Sequence, residues 1–320
     1  MIKWGIIGLG KIAHKFAKGL TYVPNAELFG VASSNINRAK EFAQKHKTQK
    51  VFESYEALAR SDNIDVIYIA SYNHLHFVHA KLCIEHGKHV LCEKPLTTSV
   101  AKTKELFSLA RNHNVFLMEA LWSRFHPSIA YLEELIQSEL YGKIKHIDVS
   151  FGFVAPENPE GRLLNPELGG GALFDIGIYP LFISQLLLGL PVKSDFKVTS
   201  GPTKVDVHTT IRNTYPFATA NLSCSFNEEL PNEAVIHFEK ATVTLKALWH
   251  CPTDVFLSID GKNQRVPIQW VGNGYNYEAA FVSDLLEKGE TTQTKMPNEF
   301  TIELINQIEK MLQNNREEND

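Results

Sequence analysis

Two short segments of the sequence carry side chains that can bind an oxygen atom and move a proton. In the first, Glu93-Lys94-Pro95, the lysine follows an apolar run and is expected at the carboxyl end of a strand, facing a ligand crevice. Partial burial or a nearby charge can lower the pKa of such a lysine toward working pH, although a lysine after a strand is most often a surface residue. Pro95 argues in part against the surface interpretation, because it fixes the backbone there and can support a cis bond.

The second segment, Asp175-Ile176-Gly177-Ile178-Tyr179, sets a carboxylate and a phenol four residues apart. On an α-helix these two side chains share one face, where they could bind a substrate hydroxyl and pass on its proton. The alternative is structural: Asp175 would cap the helix, and Tyr179 would pack in the core one turn later. The spacing favours neither interpretation.

A glycine turn opens the chain, where an apolar run leads into Gly-Ile-Ile-Gly-Leu-Gly-Lys-Ile-Ala-His at residues 5–14. Gly8 permits a sharp turn, Gly10 lets a pyrophosphate approach the backbone, and Ala13 is small enough for a helix to pack on the strand. The N–H groups at the start of that helix, around Lys11 and Ile12, would hold the phosphates. An ordinary strand–helix turn is the alternative, but the position of the pattern favours a dinucleotide site.

Elements that alternate between strand and helix must position these residues. The predicted strands cover residues 2–7, 28–32, 66–70, 89–92 and 115–118, and the predicted helices cover 11–20, 37–45, 74–86 and 99–113. This order predicts an α/β fold with a doubly wound parallel sheet of the Rossmann type, and a ligand crevice at the carboxyl ends of the strands.

The pattern changes near residue 120, which predicts a dinucleotide-binding domain over residues 1–120 and an α+β domain for substrate binding and oligomerisation over 121–320. Period-two alternation predicts strands at 144–154, 205–213, 218–226, 234–239 and 255–259, in a large, mainly antiparallel open sheet. Helices are predicted at 128–140, 176–188 and 299–314.

Composition narrows the class of protein. The 320 residues are 44% hydrophobic and 21% charged, with a net charge of −4, so no nucleic-acid partner is expected. The longest apolar stretch, 181–190, is too short to span a bilayer, and no signal-like segment opens the chain, so neither a membrane partner nor export is expected. The four cysteines form no Cys-x-x-Cys pair, which is typical of reduced thiols in a cytoplasmic protein.

Three motifs in order resemble the glucose-fructose oxidoreductase/inositol dehydrogenase family: the Gly-x-Gly-x-x-Ala start, Glu93-Lys94-Pro95, and Gly-Gly-Gly-Ala-Leu-Phe-Asp-Ile-Gly-Ile-Tyr at 169–179. The resemblance extends over nearly the whole chain. Further stretches at 38–46, 118–125, 251–253 and 277–279 are similar to its dimeric dihydrodiol dehydrogenase branch.

The resemblance implies roles at matching positions. Lys94 corresponds to the catalytic lysine of the family, Tyr179 to its tyrosine or histidine acid/base, and Asp175 to its substrate-binding aspartate. It further implies a nicotinamide between the two domains and a homodimer, or a higher homo-oligomer, formed through the outer face of the C-terminal sheet. We predict Tyr179 as the general acid/base, with Lys94 lowering its pKa and holding the substrate oxygen, and the exchanged roles remain open.

The end of the second predicted strand favours NADP(H) over NAD(H). An acidic residue there would hold the ribose 2′-hydroxyl, but the sequence reads Ala32-Ser33-Ser34-Asn35, with Arg38 shortly after. Hydroxyls and an arginine suit a 2′-phosphate. NAD(H) stays possible, since the related branch carries an arginine where this chain has Ser34.

The remaining candidates come from other loops. The family loop that matches residues 71–76 implies that Asn73 and His76 lie near the nicotinamide ribose. The full set of predicted cofactor contacts is Gly8, Gly10, Lys11, Ile12, Ser33, Ser34, Arg38, Ser71, Asn73, His76, Glu93 and Lys94.

The predicted substrate contacts are Lys94, Trp122, Arg124, Phe153, Asp175 and Tyr179. Packing at the domain junction is an equal alternative for Trp122 and Arg124, and interface or loop packing is favoured for Phe153, Arg162 and Tyr277. No metal is expected, because His74, His76 and His79 have no acidic or cysteine partner nearby.

Three functions fit this pattern. The favoured one is an NADP-dependent dehydrogenase acting on a sugar or a vicinal diol. The same scaffold could instead carry a reductase of another carbonyl or imine class, such as a biliverdin reductase, or a glycosidase that uses NAD transiently. The third is a non-catalytic NADP-binding regulatory protein, which would not need the lysine that this chain keeps.

Overall fold

The computed structural model describes residues 1–317, which form two compact units. The first unit contains Met1–Phe125 and Val271–Ile305, and the second contains His126–Trp270 and residues 306–317. The sequence analysis divides the chain once, near residue 120, and does not foresee that a later segment belongs to the first unit. Local periodicity reports only the neighbours along a chain, so it carries no sign of such a return.

The first unit is built on a parallel sheet of six strands in the order β3-β2-β1-β4-β5-β6. The strands are β1 (Ile2–Ile7), β2 (Ala26–Ala32), β3 (Lys50–Phe52), β4 (Val66–Ile69), β5 (His89–Glu93) and β6 (Leu117–Ala120). This is the predicted Rossmann-type sheet, and the order reverses between β1 and β4, where a doubly wound sheet binds its ligand.

The helices of the first unit are α1 (Lys11–Leu20), α2 (Ile36–His46), α3 (Tyr55–Ala59), α4 (Asn73–Glu85), α5 (Val100–Asn112) and α8 (Tyr275–Glu287). Three elements of this unit, β3, α3 and α8, were not predicted from the sequence. Strand β3 and helix α3 are short. Helix α8 packs against α1, although more than 250 residues separate the two helices along the chain. The indole Nε1 of Trp4 in β1 donates a hydrogen bond of 3.1 Å to the hydroxyl of Ser283 in α8, which ties this helix to the sheet.

The second unit carries an open sheet of eight strands in the order β14-β13-β12-β11-β7-β10-β9-β8. The strands are β7 (Ile144–Gly152), β8 (Lys193–Ser200), β9 (Asp206–Thr214), β10 (Thr219–Ser225), β11 (Ala234–Phe238), β12 (Thr242–Leu245), β13 (Val255–Ile259) and β14 (Lys262–Val266). β7 and β10 pair in parallel and the other neighbours are antiparallel, so the sheet is mainly antiparallel as predicted.

Two helices of the second unit, α6 (Pro127–Ser138) and α7 (Ile178–Leu188), were predicted, whereas β8, β12 and β14 were not. Strand β8 is exposed along most of its length, and therefore lacks the alternation that marks a half-buried strand. The last helix, α9 (Asn298–Glu317), begins in the first unit and ends in the second.

Within residues 1–317, one helical stretch is long and apolar enough to cross a membrane, judged by length and composition alone. This stretch is Pro166–Leu188. Most of it is buried inside the protein, as in the core helix of a globular domain. Its apolar character is therefore explained by packing within the second unit.

Candidate active site

The glycine turn after β1 has the geometry that a dinucleotide requires. Gly8 has φ of +84°, and a Cβ built there would lie 2.5 Å from the backbone nitrogen of Ser71. A Cβ on Gly10, in contrast, meets no atom within 4 Å, so space is open at the start of α1. No side chain among the described residues caps α1, and its first turn holds no acidic residue. The N–H groups of Lys11 and Ile12 therefore suit a pyrophosphate.

The loop after β2 ends without a carboxylate, as the sequence indicated. Arg38 and Ser34 are exposed, and Asn35 caps α2 by accepting hydrogen bonds from the backbone nitrogens of Asn37 and Arg38 at 3.0 and 3.1 Å. The Ser33 hydroxyl is buried and accepts a bond of 3.2 Å from the backbone of Asn35. Ser34 and Arg38 thus remain accessible to a ligand, whereas the Ser33 side chain stabilises its own loop.

The loops after β4 and β5 are joined by the fully buried His76. Its Nδ1 lies 2.7 Å from the carbonyl oxygen of Pro95, and its Nε2 lies 3.0 Å from that of Ser71. Burial lowers the pKa of His76 to about 4, although both carbonyls oppose the shift. The neutral ring therefore donates to one carbonyl at a time. The predicted ribose contact of His76 stays a prediction, while Asn73 begins α4 at the edge of the same loop.

Lys94 follows β5 directly, and its peptide bond to Pro95 is cis. Glu119, at the end of β6, is fully buried and accepts bonds from the Leu96 backbone nitrogen at 2.8 Å and the Thr301 hydroxyl at 3.1 Å. Burial raises the pKa of Glu119 to about 7, and the two hydrogen bonds and Lys94 oppose this rise. Lys94 thus lies near a buried acid, Glu119, whose pKa is close to working pH.

Trp122 and Arg124 pack inside the first unit. The Trp122 ring stacks on Tyr275 at 4.3 Å between centroids, and the Arg124 Nε donates a bond of 2.8 Å to the carbonyl oxygen of Lys295. Both side chains are more than nine-tenths buried. Tyr277, a weaker candidate, accepts a bond of 2.7 Å from the backbone of Val271, which is the loop packing that the sequence favoured.

In the second unit, Tyr179 stands in the first turn of α7 within an aromatic group. The rings of His250, Phe151 and Trp249 lie 4.8, 5.8 and 6.3 Å from the Tyr179 ring, between centroids. Phe153 packs on the far side of Phe151, at 6.4 Å. These rings fix the orientation of the phenol in an apolar surrounding.

Asp175 does not cap a helix. It lies in a π-helical turn, Leu173–Gly177, that leads into α7, and its carboxylate accepts a hydrogen bond of 3.0 Å from the guanidinium of Arg162. The π-helical turn also means that the regular spacing assumed for Asp175 and Tyr179 does not apply. Single π-helical turns within α-helices occur frequently at functional sites.

Sequence reasoning missed Asp206, which supports this turn. The buried carboxylate of Asp206 accepts a bond of 2.6 Å from the Leu173 backbone nitrogen, and burial raises its pKa to about 6. Gly171 has φ of +126°, and a Cβ there would lie 2.3 Å from the Asp206 carboxylate. The glycine triplet at 169–171 is a local signal in the sequence, but it does not identify Asp206 as the partner.

A parallel sheet with a glycine turn and an uncapped helix start defines a dinucleotide-binding fold of the Rossmann class. Family comparison agrees: residues 2–121 match the GFO/IDH/MocA oxidoreductase family with its NAD-binding Rossmann fold, and residues 129–261 match the C-terminal domain of the same family. The chain belongs to this family, and it is an oxidoreductase, as the resemblance predicted.

Curated relatives extend over most of the chain. A trans-1,2-dihydrobenzene-1,2-diol dehydrogenase from Mus musculus is 33% identical over 97% of this chain and 97% of its own. One from Xenopus tropicalis is 35% identical over 90% of both chains.

Solved structures share the fold. An aldose-aldose oxidoreductase from Caulobacter crescentus, complexed with glycerol, has a TM-score of 0.89 at 21% identity, covering 99% of this chain and 98% of that one. A 3-ketoreductase from Actinomadura kijaniata, in complex with NADP and TDP-benzene, has a TM-score of 0.83 at 24% identity, covering 95% and 94%.

Proposed function

We propose that this oxidoreductase transfers hydride between NADP(H) and a sugar or vicinal-diol substrate, and that Lys94 and Tyr179 handle the proton. The single observation that carries the proposal is Lys94 at the carboxyl end of β5, in a chain about one-third identical to diol dehydrogenases. A regulatory protein on this fold has no need of that lysine.

The bound nicotinamide supplies the hydride acceptor or donor at its C4 atom. The chain must then orient the substrate carbon and manage one proton. In the oxidative direction, the Tyr179 phenolate removes the proton from the substrate hydroxyl, and the Lys94 ammonium stabilises the oxygen while the C–H bond breaks. Asp175, held by Arg162, binds a neighbouring hydroxyl, which favours substrates with two adjacent hydroxyl groups.

The preference for NADP(H) rests on the loop after β2. This loop carries no carboxylate to bind a ribose 2′-hydroxyl, and it leaves Arg38 and Ser34 exposed. An NADP-containing ketoreductase with the same fold is consistent with this choice. NAD(H) remains the alternative coenzyme.

A substrate panel tests the proposal. The purified protein is incubated with pentoses, hexoses or trans-diols and either oxidised coenzyme, and with imines and either reduced coenzyme. NAD(P)H absorbance is followed over time. We expect turnover with at least one hydroxylated substrate, and a higher kcat/KM with NADP than with NAD. Tight NADPH binding without any turnover would instead favour the regulatory protein, and turnover of imines alone would favour the other reductase class.

We further propose self-association through the open face of the eight-stranded sheet, where β7 and β10 present polar side chains such as His146, Asp148 and Asn221. We also propose that the protein works in the cytoplasm. The four cysteines are free thiols, which suits a reducing compartment.

A further inference from the structure

Three acidic groups lie near one another in the first unit: the half-buried Glu93, at the end of β5 directly before Lys94, and the buried Tyr68 and Glu278. We call Glu93, Glu278 and Tyr68 the acid cluster. The Tyr68 phenol donates a hydrogen bond to the Glu93 carboxylate, and Tyr68 itself stacks on Phe16 at 3.7 Å between centroids. Helix α8 brings Glu278 to this cluster from a distant part of the sequence.

Glu278 is fully buried, with 0% of its surface exposed. Among residues 1–317, neither of its carboxyl oxygens has a hydrogen-bond partner. Burial of an ionised carboxylate is strongly unfavourable unless donors or a cation compensate it. A neutral carboxylic acid avoids most of that cost.

The neighbours of the cluster oppose a charge on Glu278. Glu93 of β5 interacts electrostatically with Glu278, and Tyr68 of β4 interacts in the same way with Glu93, with Glu278 and with Tyr275 at the start of α8. Burial, and then the negative charge of Glu93, raise the pKa of Glu278 well above its usual value. The Tyr68 hydroxyl has a single proton to donate, and it donates that proton to Glu93.

We infer that Glu278 is a protonated, uncharged carboxylic acid in the folded protein, and that it is a positioning residue which keeps Glu93 in place directly before Lys94. The cluster then carries one negative charge instead of two. Ionisation of Glu278 would set a buried carboxylate against that of Glu93 and displace Glu93, and with it the neighbouring lysine. The catalytic part of this inference rests on the proposed function, whereas the protonation state does not.

The sign of the pH effect follows from linkage. The unfolded chain releases the Glu278 proton near pH 4.5, whereas the folded protein keeps it. Between that pH and the raised folded pKa, folding must take up one proton, so this contribution to stability is lost as pH rises. The unfolding equilibrium constant then increases by up to about tenfold per pH unit from this group alone.

Chemical denaturation from pH 5 to pH 9 tests the protonation state, using wild type, Glu278→Gln and Glu287→Gln. Glutamine mimics the neutral acid, so the stability of Glu278→Gln relative to wild type should increase with pH. Glu287 lies at the exposed end of the same helix, where it pairs with the N-terminal amine and its pKa is lowered by hydrogen bonds from Asn25 and the N-terminus, so the Glu287→Gln difference should stay constant from pH 5 to pH 7. A constant difference for Glu278→Gln would overturn the inference.

Infrared spectra add a measurement that depends less on stability. At pH 7 the wild-type protein should show the C=O stretch of a protonated carboxylic acid, and this band should be reduced in Glu278→Gln but not in Glu287→Gln. An unchanged band would also overturn the assignment.

Kinetics test the positioning role separately. The alkaline limb of the kcat/KM profile should move to higher pH in Glu278→Gln and stay in place in Glu287→Gln. An unchanged limb, together with the expected denaturation result, would overturn the positioning role alone. If no substrate in the panel is turned over, the proposed function fails, and the denaturation and infrared results still decide the protonation state.

Discussion

At the scale of single residues, the proposed chemistry relies on two groups in partly apolar surroundings. Tyr179 lies among the rings of Phe151, Trp249 and His250, and Lys94 lies near Glu119, whose pKa burial raises to about 7. A low local dielectric strengthens the interaction of an ammonium with a developing alkoxide. The same environment makes each of these groups sensitive to small changes in its neighbours.

Replacing Tyr179 by phenylalanine removes the proposed acid/base and keeps the ring packing. We expect kcat to fall by about 10²- to 10⁴-fold, the usual range for loss of general acid–base catalysis, with coenzyme binding unchanged. Steady-state kinetics and an NADPH titration measure the two effects.

Tyr215→Phe is the matched control, because Tyr215 is equally buried in the second unit and its hydroxyl bonds to Ser184 at 2.6 Å. This variant should lose some stability and keep its turnover number. Near-normal turnover of Tyr179→Phe would contradict the assigned role.

Arg38→Ala tests the coenzyme preference. Loss of a charge-assisted contact to the 2′-phosphate should weaken NADPH binding roughly 10- to 100-fold and leave NADH binding nearly unchanged. Fluorescence titration with both coenzymes measures this. Arg60→Ala is the control, since Arg60 is an exposed arginine in the same unit that pairs with Glu56. Equal losses for NADPH and NADH would contradict the 2′-phosphate contact.

At the scale of elements, the π-helical turn before α7 sets the position of both Asp175 and Tyr179. Asp206 in β9 accepts a bond from the first residue of this turn, and Gly171 leaves room for the Asp206 carboxylate. Strand β9, Gly171 and the π-helical turn are therefore in contact. We expect the positions of Asp175 and Tyr179 to depend on this contact.

Gly171→Ala places a Cβ against Asp206 at a backbone φ of +126°. We expect a loss of stability of about 2–4 kcal/mol and a lower kcat/KM, because the turn must move. Denaturant unfolding and steady-state kinetics measure these effects.

Gly261→Ala is the control for backbone strain, since Gly261 also has positive φ, +76°, but its Cβ would meet nothing within 4 Å. It should lose less stability and keep its activity. Equal losses in both variants would mean that the Asp206 contact contributes little.

At the scale of the whole molecule, the proposed self-association requires a flat sheet face that no helix covers. On β7 and β10 buried apolar residues alternate with more exposed polar ones, so one face packs inside the unit and the other presents polar side chains. A sheet face of this kind can pair with a second copy of itself around a twofold axis.

Ser223→Arg places a long charged side chain on the open face of β10. We expect sedimentation velocity to show a shift toward the monomer, with the circular dichroism spectrum unchanged. Asn112→Arg, at the exposed end of α5, should sediment like wild type. A monomeric wild type, or a Ser223→Arg variant that associates like wild type, would contradict this interface.

Much of the fold could be predicted because its elements leave strong local patterns. The bounds of β1 and α1 agree with the sequence prediction to the residue, since an apolar run and a glycine turn define both. Strand β8 was not predicted because it is too exposed to show alternation. The place of α8 in the first unit was not predicted because no local pattern connects this helix to α1, which is distant along the chain.

The sequence by itself determined the residue types: a glycine turn suited to phosphates, a lysine after a strand, and a tyrosine near an aspartate. It did so because these signals are local and depend on a few neighbouring positions. The tertiary structure alone decided that Asp206 supports the π-helical turn and that Glu278 lies beside Glu93. Those pairs join distant parts of the chain, and burial, which only packing creates, sets their protonation.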